Sequence, residues 1–565
     1  MNIQVEFNVP TTMRDGTILR ANIFRPAEDG TYPVALTRTP YGKDFASVES
    51  HMDSVRMARA GYIVVIQDVR GRFASEGHWD PFVNEANDGY DSVEWAAQLP
   101  GSNGNVGMFG ASYVGFTQWI AAGQNPPHLK AIVPAITWAD ARDGAVWRGG
   151  AFELGTFASW QLLMGLDEIG KRIAGLPPLE QMQEMGALVY HIDHLRTEGY
   201  QSLPLKDFAP LHQLNLASAQ LDLAISHPNE RASVVPYSPA EFYDRLTIPA
   251  YNVGGWYDVF TKGTFQNYTA RPDRASKVLI GPWIHGTLDS VVGEMDFGFL
   301  AGSWINMQFD LTSLTQRWFD YWLKGIENGI MQEPPVKIFV MGANVWRDEF
   351  EWPLARAEYK PFYLHAESKL SLELPSAIEA ADHYTYDPTD PTPTAGGSLL
   401  MHRLFMPGVR DQRSLEQRSD LLTFTTAPLD KEMEITGPVL VKLWAMSDAH
   451  DTDFVARLID VHPDGFAQNV CDGIIRARYR NGEQPELIQP GHVYEYTIDL
   501  WETSNVFKTG HCLRLDIASA SFPRWDRNPN TGEDFGKSAT MQTAHQMILH
   551  DATHPSHIVL PLIPR

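Results

Sequence analysis

The sequence predicts an α/β domain followed by an all-β domain, and two observations lead to this prediction. In the first part of the chain, short uninterrupted apolar runs alternate with stretches of helical periodicity. This is the pattern of a parallel sheet covered by helices on both faces. Beyond Trp352-Pro353, helical periodicity nearly ends and short β-rich segments recur between turn residues, as is typical of a sandwich or jelly roll. The 565 residues are also too many for a single hydrophobic core.

The strands of the first part follow one another in a regular order. β-rich runs at 4–9 and 17–24 flank Arg14-Asp15-Gly16, which is a hairpin signal. A long helix is predicted from about Asn306 to Leu323. Further apolar strands are predicted at 32–37, 61–67, 105–109, 129–134, 248–253, 277–280 and 334–341, with helices over 54–60 and 88–98.

A block rich in Leu, Met and Gln interrupts the alternation of strands and helices between about Asp140 and Tyr237. Its helical periodicity predicts a cap inserted over a site in the sheet domain. The predicted domains are therefore a discontinuous α/β core of residues 1–140 and 241–351, a helical cap of residues 141–240, and a β-sandwich or jelly roll of residues 352–565.

Composition excludes several classes of partner. The net charge of −24 argues against nucleic acid and anionic membranes, because phosphate binding needs clustered Lys and Arg. No stretch of about twenty apolar residues could span a bilayer. The first residues lack the pattern of a signal peptide, so a cytoplasmic location is predicted. The two cysteines, Cys471 and Cys512, cannot form a four-cysteine zinc site, and no metal or organic cofactor is expected.

The segment around Ser112 predicts a catalytic nucleophile. An apolar run ending at Phe109 is broken by small residues around the serine and resumes as a helical pattern through Ala121. Such a strand-to-helix turn, the nucleophile elbow, presents a hydroxyl above the carboxyl end of a parallel sheet. Gly110 is expected there because a side chain would collide with the following helix. The spacing Gly-x-Ser-x-x-Gly is one residue longer than the common form.

A serine nucleophile needs an imidazole base and a carboxylate that orients it. Asp258 follows the strand predicted at 248–253, and His285 follows the strand at 277–280. Both are therefore expected at carboxyl ends of strands, where open α/β sheets place their sites. The chain order Ser, Asp, His is that of α/β-hydrolases.

The negative charge that develops on a substrate carbonyl needs hydrogen-bond donors. One predicted donor is the backbone N–H of Tyr113, which follows the nucleophile. The loop after the strand at 32–37 has no glycine-rich donor run, so the hydroxyl of Tyr41 is the second candidate.

Five motifs in this order resemble the cocaine esterase-like hydrolases, which are grouped with the X-prolyl dipeptidyl-peptidases. The motifs are Arg38-Thr39-Pro40-Tyr41, Gln67-Asp68-Val69-Arg70-Gly71, Gly110-Ala111-Ser112-Tyr113-Val114-Gly115, Gly255-Trp256-Tyr257-Asp258 and Gly281-Pro282-Trp283-Ile284-His285. The resemblance implies an α/β-hydrolase core with a helical cap and a C-terminal jelly roll. It also implies the roles assigned above to Ser112, Asp258, His285, Tyr41 and Tyr113. An acyl pocket is implied at Trp147, Trp160, Phe260, Leu400 and Met401.

The predicted function is hydrolysis of esters with a bulky apolar or aromatic acyl group, through an acyl-enzyme. A small-molecule ester is the expected substrate, and the oligomeric state, a homo-oligomer included, is left open. An X-prolyl dipeptidyl-peptidase or an acylase is the alternative within the family. Such enzymes hold a substrate ammonium with carboxylates, whereas Val259-Phe260-Thr261-Lys262 follows Asp258. A non-catalytic protein that binds carbohydrate or a partner through its β domain is the remaining alternative.

Overall fold

The computed structural model describes residues 2–45, 52–216, 221–222, 237–270, 275–305, 307–401 and 405–564. The helices are α1 (Ser54–Arg59), α2 (Glu85–Ala97), α3 (Tyr113–Gly123), α4 (Leu154–Ile173), α5 (Pro178–Asp193), α6 (Ala209–Gln213), α7 (Thr261–Thr269) and α8 (Leu311–Lys324).

The strands as far as residue 349 are β1 (Ile3–Thr12), β2 (Ile18–Pro26), β3 (Tyr32–Thr39), β4 (Ile63–Asp68), β5 (Ser102–Ala111), β6 (Leu129–Ala135), β7 (Trp147–Arg148), β8 (Ala151–Phe152), β9 (Ala250–Tyr257), β10 (Ser276–Ile284), β11 (Val291–Val292), β12 (Met295–Asp296), β13 (Val336–Val340) and β14 (Val345–Glu349). The later strands are β15 (Glu358–His365), β16 (Lys369–Ser371), β17 (Asp382–Tyr386), β18 (Leu421–Thr425), β19 (Met433–Ser447), β20 (Asp453–Val461), β21 (Ala467–Arg476), β22 (Val493–Phe507), β23 (Cys512–Ala518), β24 (Ala544–Leu549) and β25 (His557–Leu562).

The first domain is built on a ten-stranded sheet in the order β1-β2-β4-β3-β5-β6-β9-β10-β13-β14. The seven central strands run parallel to one another, while β1, β2 and β14 pair antiparallel at the two edges. In sheet order, the parallel strands are β4, β3, β5, β6, β9, β10 and β13. Every residue of β4 and of β9 is buried. Burial on both faces explains why the sequences of these strands are mostly apolar.

The parallel arrangement brings three chain segments to one edge of the sheet. Ser112 follows the last residue of β5, Asp258 follows the last residue of β9, and His285 follows the last residue of β10. In the sheet, β6 lies between β5 and β9, and β10 is next to β9. The carboxyl ends of these neighbouring strands therefore bring the three side chains together.

Helices α4, α5 and α6 form a block between β8 and β9. One contact to the core is the hydrogen bond from the Arg72 guanidinium to the carbonyl of Met164 in α4, at 3.1 Å. α4 buries its apolar side against the residues around the nucleophile, in the same hydrophobic cluster as Tyr113 and Phe116. None of the described helices is long and apolar enough to cross a membrane.

The second domain is an eleven-stranded sheet system in which β19 and β22 form the longest pairing. Its core is filled by alternate residues of these strands, such as Val441, Leu443 and Ile498. It joins the first domain through a bridge in which the backbones of Met341 and Val506 hydrogen-bond at 2.8 Å. The predicted fold class, an α/β-hydrolase core with a helical cap and a C-terminal β domain, is confirmed, whereas the predicted domain boundaries stay predictions.

The helix predicted from Asn306 begins later than expected, since α8 starts at Leu311. The carboxylate of Asp310 caps it by accepting a hydrogen bond from the Ser313 N–H at 2.7 Å. Asn306 itself lies outside the described residues. The sequence prediction missed this cap because the apolar pattern extends upstream of it.

Candidate active site

The turn at Ser112 has the backbone geometry of an elbow. Ser112 has φ of 60° and ψ of −124°, a strained conformation that non-glycine residues rarely adopt. Gly110 has φ of +132°, and a Cβ at this position would lie 2.2 Å from Cγ1 of Val114 in α3. At Gly115, a Cβ would lie 2.9 Å from the carbonyl oxygen of Ala135 at the end of β6. Both glycines of the Gly-x-Ser-x-x-Gly motif therefore allow α3 to pack closely on the sheet.

Ser112, His285 and Asp258 form a continuous chain of hydrogen bonds. Nε2 of His285 lies 3.0 Å from Oγ of Ser112, and Nδ1 lies 2.7 Å from Oδ1 of Asp258. The Asp258 side chain is fully buried and that of His285 is 8% exposed. The loop that carries Asp258 is fixed by Thr261, whose N–H donates to the Asp258 carbonyl at 3.2 Å.

The partners of the imidazole assign its protons. An ionised carboxylate can only accept, so Nδ1 of His285 carries a proton and donates it to Asp258. Nε2 is then the unprotonated nitrogen, and the Ser112 hydroxyl donates to it. This arrangement can remove the proton from Ser112 as the serine attacks a carbonyl.

Two donors lie beside the serine. Tyr113 is the first residue of α3, and the N–H groups of the first helical turn have no acceptor within the helix. The indole N–H of Trp160 donates to the hydroxyl oxygen of Tyr41 at 3.3 Å, and Tyr41 lines the same two cavities as Ser112. Burial raises the pKa of Tyr41 above its ordinary value, so the phenol keeps the proton that it can donate.

A cavity opens from Ser112 under the cap. Trp160, Phe260 and Leu400, three of the five residues predicted for an acyl pocket, line it. The edge of the Phe260 ring packs on the His285 imidazole, with centroids 5.3 Å apart. None of the described side chains that line this cavity carries a formal charge. The lining residues are Tyr41, Phe82, Ser112, Tyr113, Trp138, Ala141, Ala145, Val146, Phe152, Thr156, Phe157, Trp160, Tyr237, Phe260 and Leu400.

Trp147 does not line this cavity, contrary to the sequence prediction. It belongs to the β7–β8 hairpin, which docks on the β domain with the Arg148 guanidinium stacked 3.6 Å from the Trp501 ring. This docking turns Trp147 toward neighbouring cavities that Gly150 and Tyr479 also line.

Met401 is also absent from the cavity lining. Its side chain packs against Gly155 in α4, while the adjacent Leu400 faces the cavity. The absence of a side chain at Gly155 gives the Met401 side chain room against α4.

Sequence reasoning missed five aromatic residues that line the cavity, namely Phe82, Trp138, Phe152, Phe157 and Tyr237. Trp138 packs against Phe260 with ring centroids 5.0 Å apart, and its indole N–H donates to the Tyr237 carbonyl at 2.8 Å. It follows the end of β6, beside the nucleophile strand, which is a signal that could have revealed it. Phe82 precedes α2 with φ of 74°, and Tyr237 lies at the end of the cap; neither follows a strand pattern.

A second, wider cavity lies on the other side of the serine. It is lined by Ser112, His285 and Tyr41 of the site and by the apolar side chains of Phe73, Leu163 and Leu166. Two charged residues, Asp167 and Arg72, also line it. The Asp167 carboxylate is held by the Phe73 N–H at 3.1 Å and by Arg72 at 3.6 Å. The two cavities meet at the nucleophile, so one can take the acyl part of a substrate and the other its leaving group.

This fold, with serine, histidine and aspartate hydrogen-bonded at the carboxyl ends of its strands, defines the α/β-hydrolase class. Residues 15–287 match the family described as X-Pro dipeptidyl-peptidase (S15 family), and residues 328–559 match the X-Pro dipeptidyl-peptidase C-terminal non-catalytic domain. Cocaine esterase of Rhodococcus sp. (strain MB1 Bresler) is 38% identical over 583 residues, which cover 100% of this chain and 99% of that protein. The chain therefore belongs to the cocaine esterase-like hydrolases of this family, as its motifs predicted.

Solved structures agree with this assignment. An α-amino acid ester hydrolase is 26% identical, has a TM-score of 0.82, and the match covers 99% of this chain and 96% of that one. An aminopeptidase from the marine sediment archaeon Thaumarchaeota archaeon shares the fold, with 24% identity, a TM-score of 0.81, and coverage of 100% and 96%. The names of these relatives include hydrolases of esters and of peptides, so membership of the family leaves the substrate open.

Proposed function

We propose that this chain is a serine carboxylic-ester hydrolase that acts through an acyl-enzyme on esters with a bulky apolar or aromatic acyl group. The observation that carries the proposal is the hydrogen-bonded chain Ser112–His285–Asp258 at the mouth of an uncharged, aromatic cavity. Cocaine esterase, a relative over the whole chain, supports the choice of an ester.

In the first half of the reaction, Oγ of Ser112 attacks the ester carbonyl carbon and its proton passes to Nε2 of His285. The carbonyl oxygen becomes an oxyanion, which the Tyr113 N–H and the Tyr41 hydroxyl stabilise. The carbon–oxygen bond to the alcohol then breaks, and His285 returns the proton to the departing oxygen. The acyl group remains on Ser112.

In the second half, a water molecule attacks the acyl carbon and gives a proton to His285. The bond to Oγ breaks, the serine recovers the proton, and the carboxylic acid leaves. Asp258 accepts a hydrogen bond from Nδ1 throughout and stabilises the imidazolium that forms twice in the cycle.

The cavity lining supports a bulky acyl group. Burial of apolar surface contributes roughly 25 cal/mol per Å², and each added methylene in such a pocket contributes about 1–3 kcal/mol of discrimination. The rings of Phe82, Trp138, Trp160 and Phe260 contact one another around this space, with centroids 5.0–5.7 Å apart. A flat aromatic acyl group would therefore meet ring faces and edges in place of water.

The charge distribution argues for a neutral acyl group. A substrate ammonium would need a carboxylate to offset its loss of hydration. The described lining of the cavity under the cap offers none, and Asp167 in the second cavity is already engaged by Arg72 and the Phe73 N–H. Lys262, which follows soon after Asp258, has its ammonium between the carboxylates of Asp143 and Asp499, outside this cavity. We therefore expect esters with neutral acyl groups to be hydrolysed faster than aminoacyl esters or X-Pro amides.

The test is a comparison of kcat/KM over matched p-nitrophenyl esters with acetyl, butyryl, benzoyl and aminoacyl groups, alongside X-Pro anilides. Ser112→Ala serves as the background control in every assay. The proposal predicts the highest values for the benzoyl and longer acyl esters. Faster hydrolysis of the X-Pro anilides would instead identify a dipeptidyl-peptidase with an amine-binding acid in the cap.

A further inference from the structure

A cluster of Asp460, His462 and His511 lies in the β domain, and none of these residues lines the two cavities at Ser112. One potential ligand atom from each side chain can be chosen so that all three lie within 4.8 Å of one another. We propose that these three residues form a binding site for a divalent transition-metal ion, with Zn²⁺ as the ion that fits the ligand set best.

The strand register builds this cluster. β20 and β23 pair antiparallel with Asp460 opposite Leu513 and Val461 opposite Cys512, and one step further along places His462 opposite His511. Asp460 and His462 are two residues apart, so their side chains are directed to the same face. The imidazole rings of the two histidines are 4.4 Å apart between centroids.

Turns hold both histidines in place. The His462 N–H donates to the Phe466 carbonyl at 2.8 Å and closes the loop between β20 and β21. The His511 N–H donates to the Lys508 carbonyl at 3.1 Å in the turn that precedes β23. The nearby Lys508 ammonium is engaged with Glu432 at 3.0 Å.

The polar atoms of the cluster are arranged as a ligand set. Asp460 is buried, and its carboxylate accepts from Nδ1 of His511 at 2.7 Å and from the Asn505 amide at 3.3 Å. Nε2 of His462 is buried without a hydrogen-bond partner among the described residues. An unpartnered buried nitrogen is costly, and coordination to a cation would satisfy it.

The chemistry of the donors selects the ion. Two imidazoles and a carboxylate are ligands for Zn²⁺ and its neighbours, whereas Ca²⁺ and Mg²⁺ prefer oxygen alone. In a tetrahedral zinc site the ligand atoms are about 3.3 Å apart, given zinc–nitrogen bonds of about 2.0–2.1 Å. Small rotations of the two histidines would bring the set to that spacing. Water would be the fourth ligand, and Asn505 would orient the carboxylate from outside.

Such an ion would tie the β20–β21 loop to the turn before β23. The consequence is added stability of the β domain, because an ion that binds the folded chain and not the unfolded one shifts the equilibrium toward the folded state. The site is separate from the serine chemistry, so it predicts no metal requirement for ester hydrolysis.

The experiment uses the full chain without an affinity tag, stripped with a chelator and dialysed. Titration with Zn²⁺ against a chromophoric chelator should show one site per chain, and Co²⁺ should give visible d–d absorption of four-coordinate intensity. His462→Gln and His511→Gln should each weaken Zn²⁺ binding at least tenfold and abolish the Co²⁺ spectrum. Asn505→Ala should weaken Zn²⁺ binding by about 10–100-fold, the usual effect of losing an outer-shell partner.

Two matched controls separate this site from other histidines and thiols. His545→Gln changes an exposed histidine of β24, and Cys512→Ser removes the thiol next to His511. Both should bind Zn²⁺ as the wild type does, and Zn²⁺ should raise Tm in the wild type but not in His462→Gln. The proposal is overturned if the wild type binds no Zn²⁺ tightly enough to compete with the chelator. It is equally overturned if the two cluster variants bind as well as the controls.

Discussion

Replacement of Tyr41 by Phe tests the predicted oxyanion site in the most specific way. The change removes one oxygen atom and leaves the ring, which packs in the hydrophobic cluster of the cap and core. In the folded protein, the Trp160 N–H donates to the Tyr41 oxygen, so the phenol proton is available to a substrate oxygen. Burial raises the pKa of this phenol, which keeps the proton in place at neutral pH.

The expected loss is a fall in kcat of roughly 10²–10³, equivalent to about 2.7–4 kcal/mol of transition-state stabilisation. The loss should appear in kcat rather than in KM, because the carbonyl oxygen gains its full charge only in the transition state. The assay is steady-state hydrolysis of a p-nitrophenyl ester, with far-UV circular dichroism as a check on folding.

Tyr190→Phe provides the control, since its hydroxyl is exposed on α5 and pairs with Glu198 at 3.0 Å. It should leave kcat unchanged. If folded Tyr41→Phe had the same kcat as this control, Tyr41 would not be the second oxyanion donor.

Two further predictions concern the acyl cavity and Glu502, a half-buried acid. Trp160→Ala should lower the ratio of kcat/KM for a benzoyl ester to kcat/KM for an acetyl ester more than Trp160→Phe does. Both variants lose the N–H that donates to Tyr41, but only the alanine variant loses the ring that lines the cavity. Equal ratios in the two variants would contradict the assignment of Trp160 as an acyl-pocket residue. Burial, together with the nearby Asp499, raises the pKa of Glu502 from an ordinary 4.5 to about 8. A raised acid pKa makes the folded state bind the proton more tightly, so stability should fall as pH rises from about 4.5 to about 8. In urea unfolding, the free energy of unfolding of Glu502→Gln should therefore exceed that of the wild type by about 1–3 kcal/mol at pH 8, and this difference should vanish below about pH 4.5. A difference that does not depend on pH would refute this explanation.

The sequence predicted those parts of the molecule that depend on the sheet. β4 and β9 are buried on both faces, so most of their residues are apolar, with the buried polar residues Gln67, Asp68 and Asn252 as exceptions. Their carboxyl ends share one edge, so residues that follow strands could be assigned to one site. For this reason Ser112, Asp258 and His285, which are far apart in the chain, were assigned to one site from sequence; their catalytic roles stay predictions.

The cavity was less predictable because packing between domains decides which side chains face it. Trp147 and Trp160 are both tryptophans near the start of the cap, yet only Trp160 faces the serine. The β7–β8 hairpin turns Trp147 away because Arg148 stacks on Trp501 of the β domain. No local pattern reports a contact between residues that are hundreds of positions apart in sequence.

The Asp460–His462–His511 cluster illustrates the same limit. Asp460 lies in β20 and His462 directly follows that strand, but His511 reaches them only through the pairing of β20 with β23. The sequence shows the first two residues as a short pattern and gives no signal for the third.

The measurement that tests the central claim most directly is labelling with a serine-directed fluorophosphonate, followed by peptide mass spectrometry. The wild type should take up one label per chain at Ser112 and lose ester hydrolysis in proportion to labelling. Ser112→Ala should fold normally, take up no label and lose turnover by several orders of magnitude, as loss of a triad nucleophile does elsewhere. A label on a different serine, or substantial turnover in folded Ser112→Ala, would contradict the assignment of Ser112 as the nucleophile.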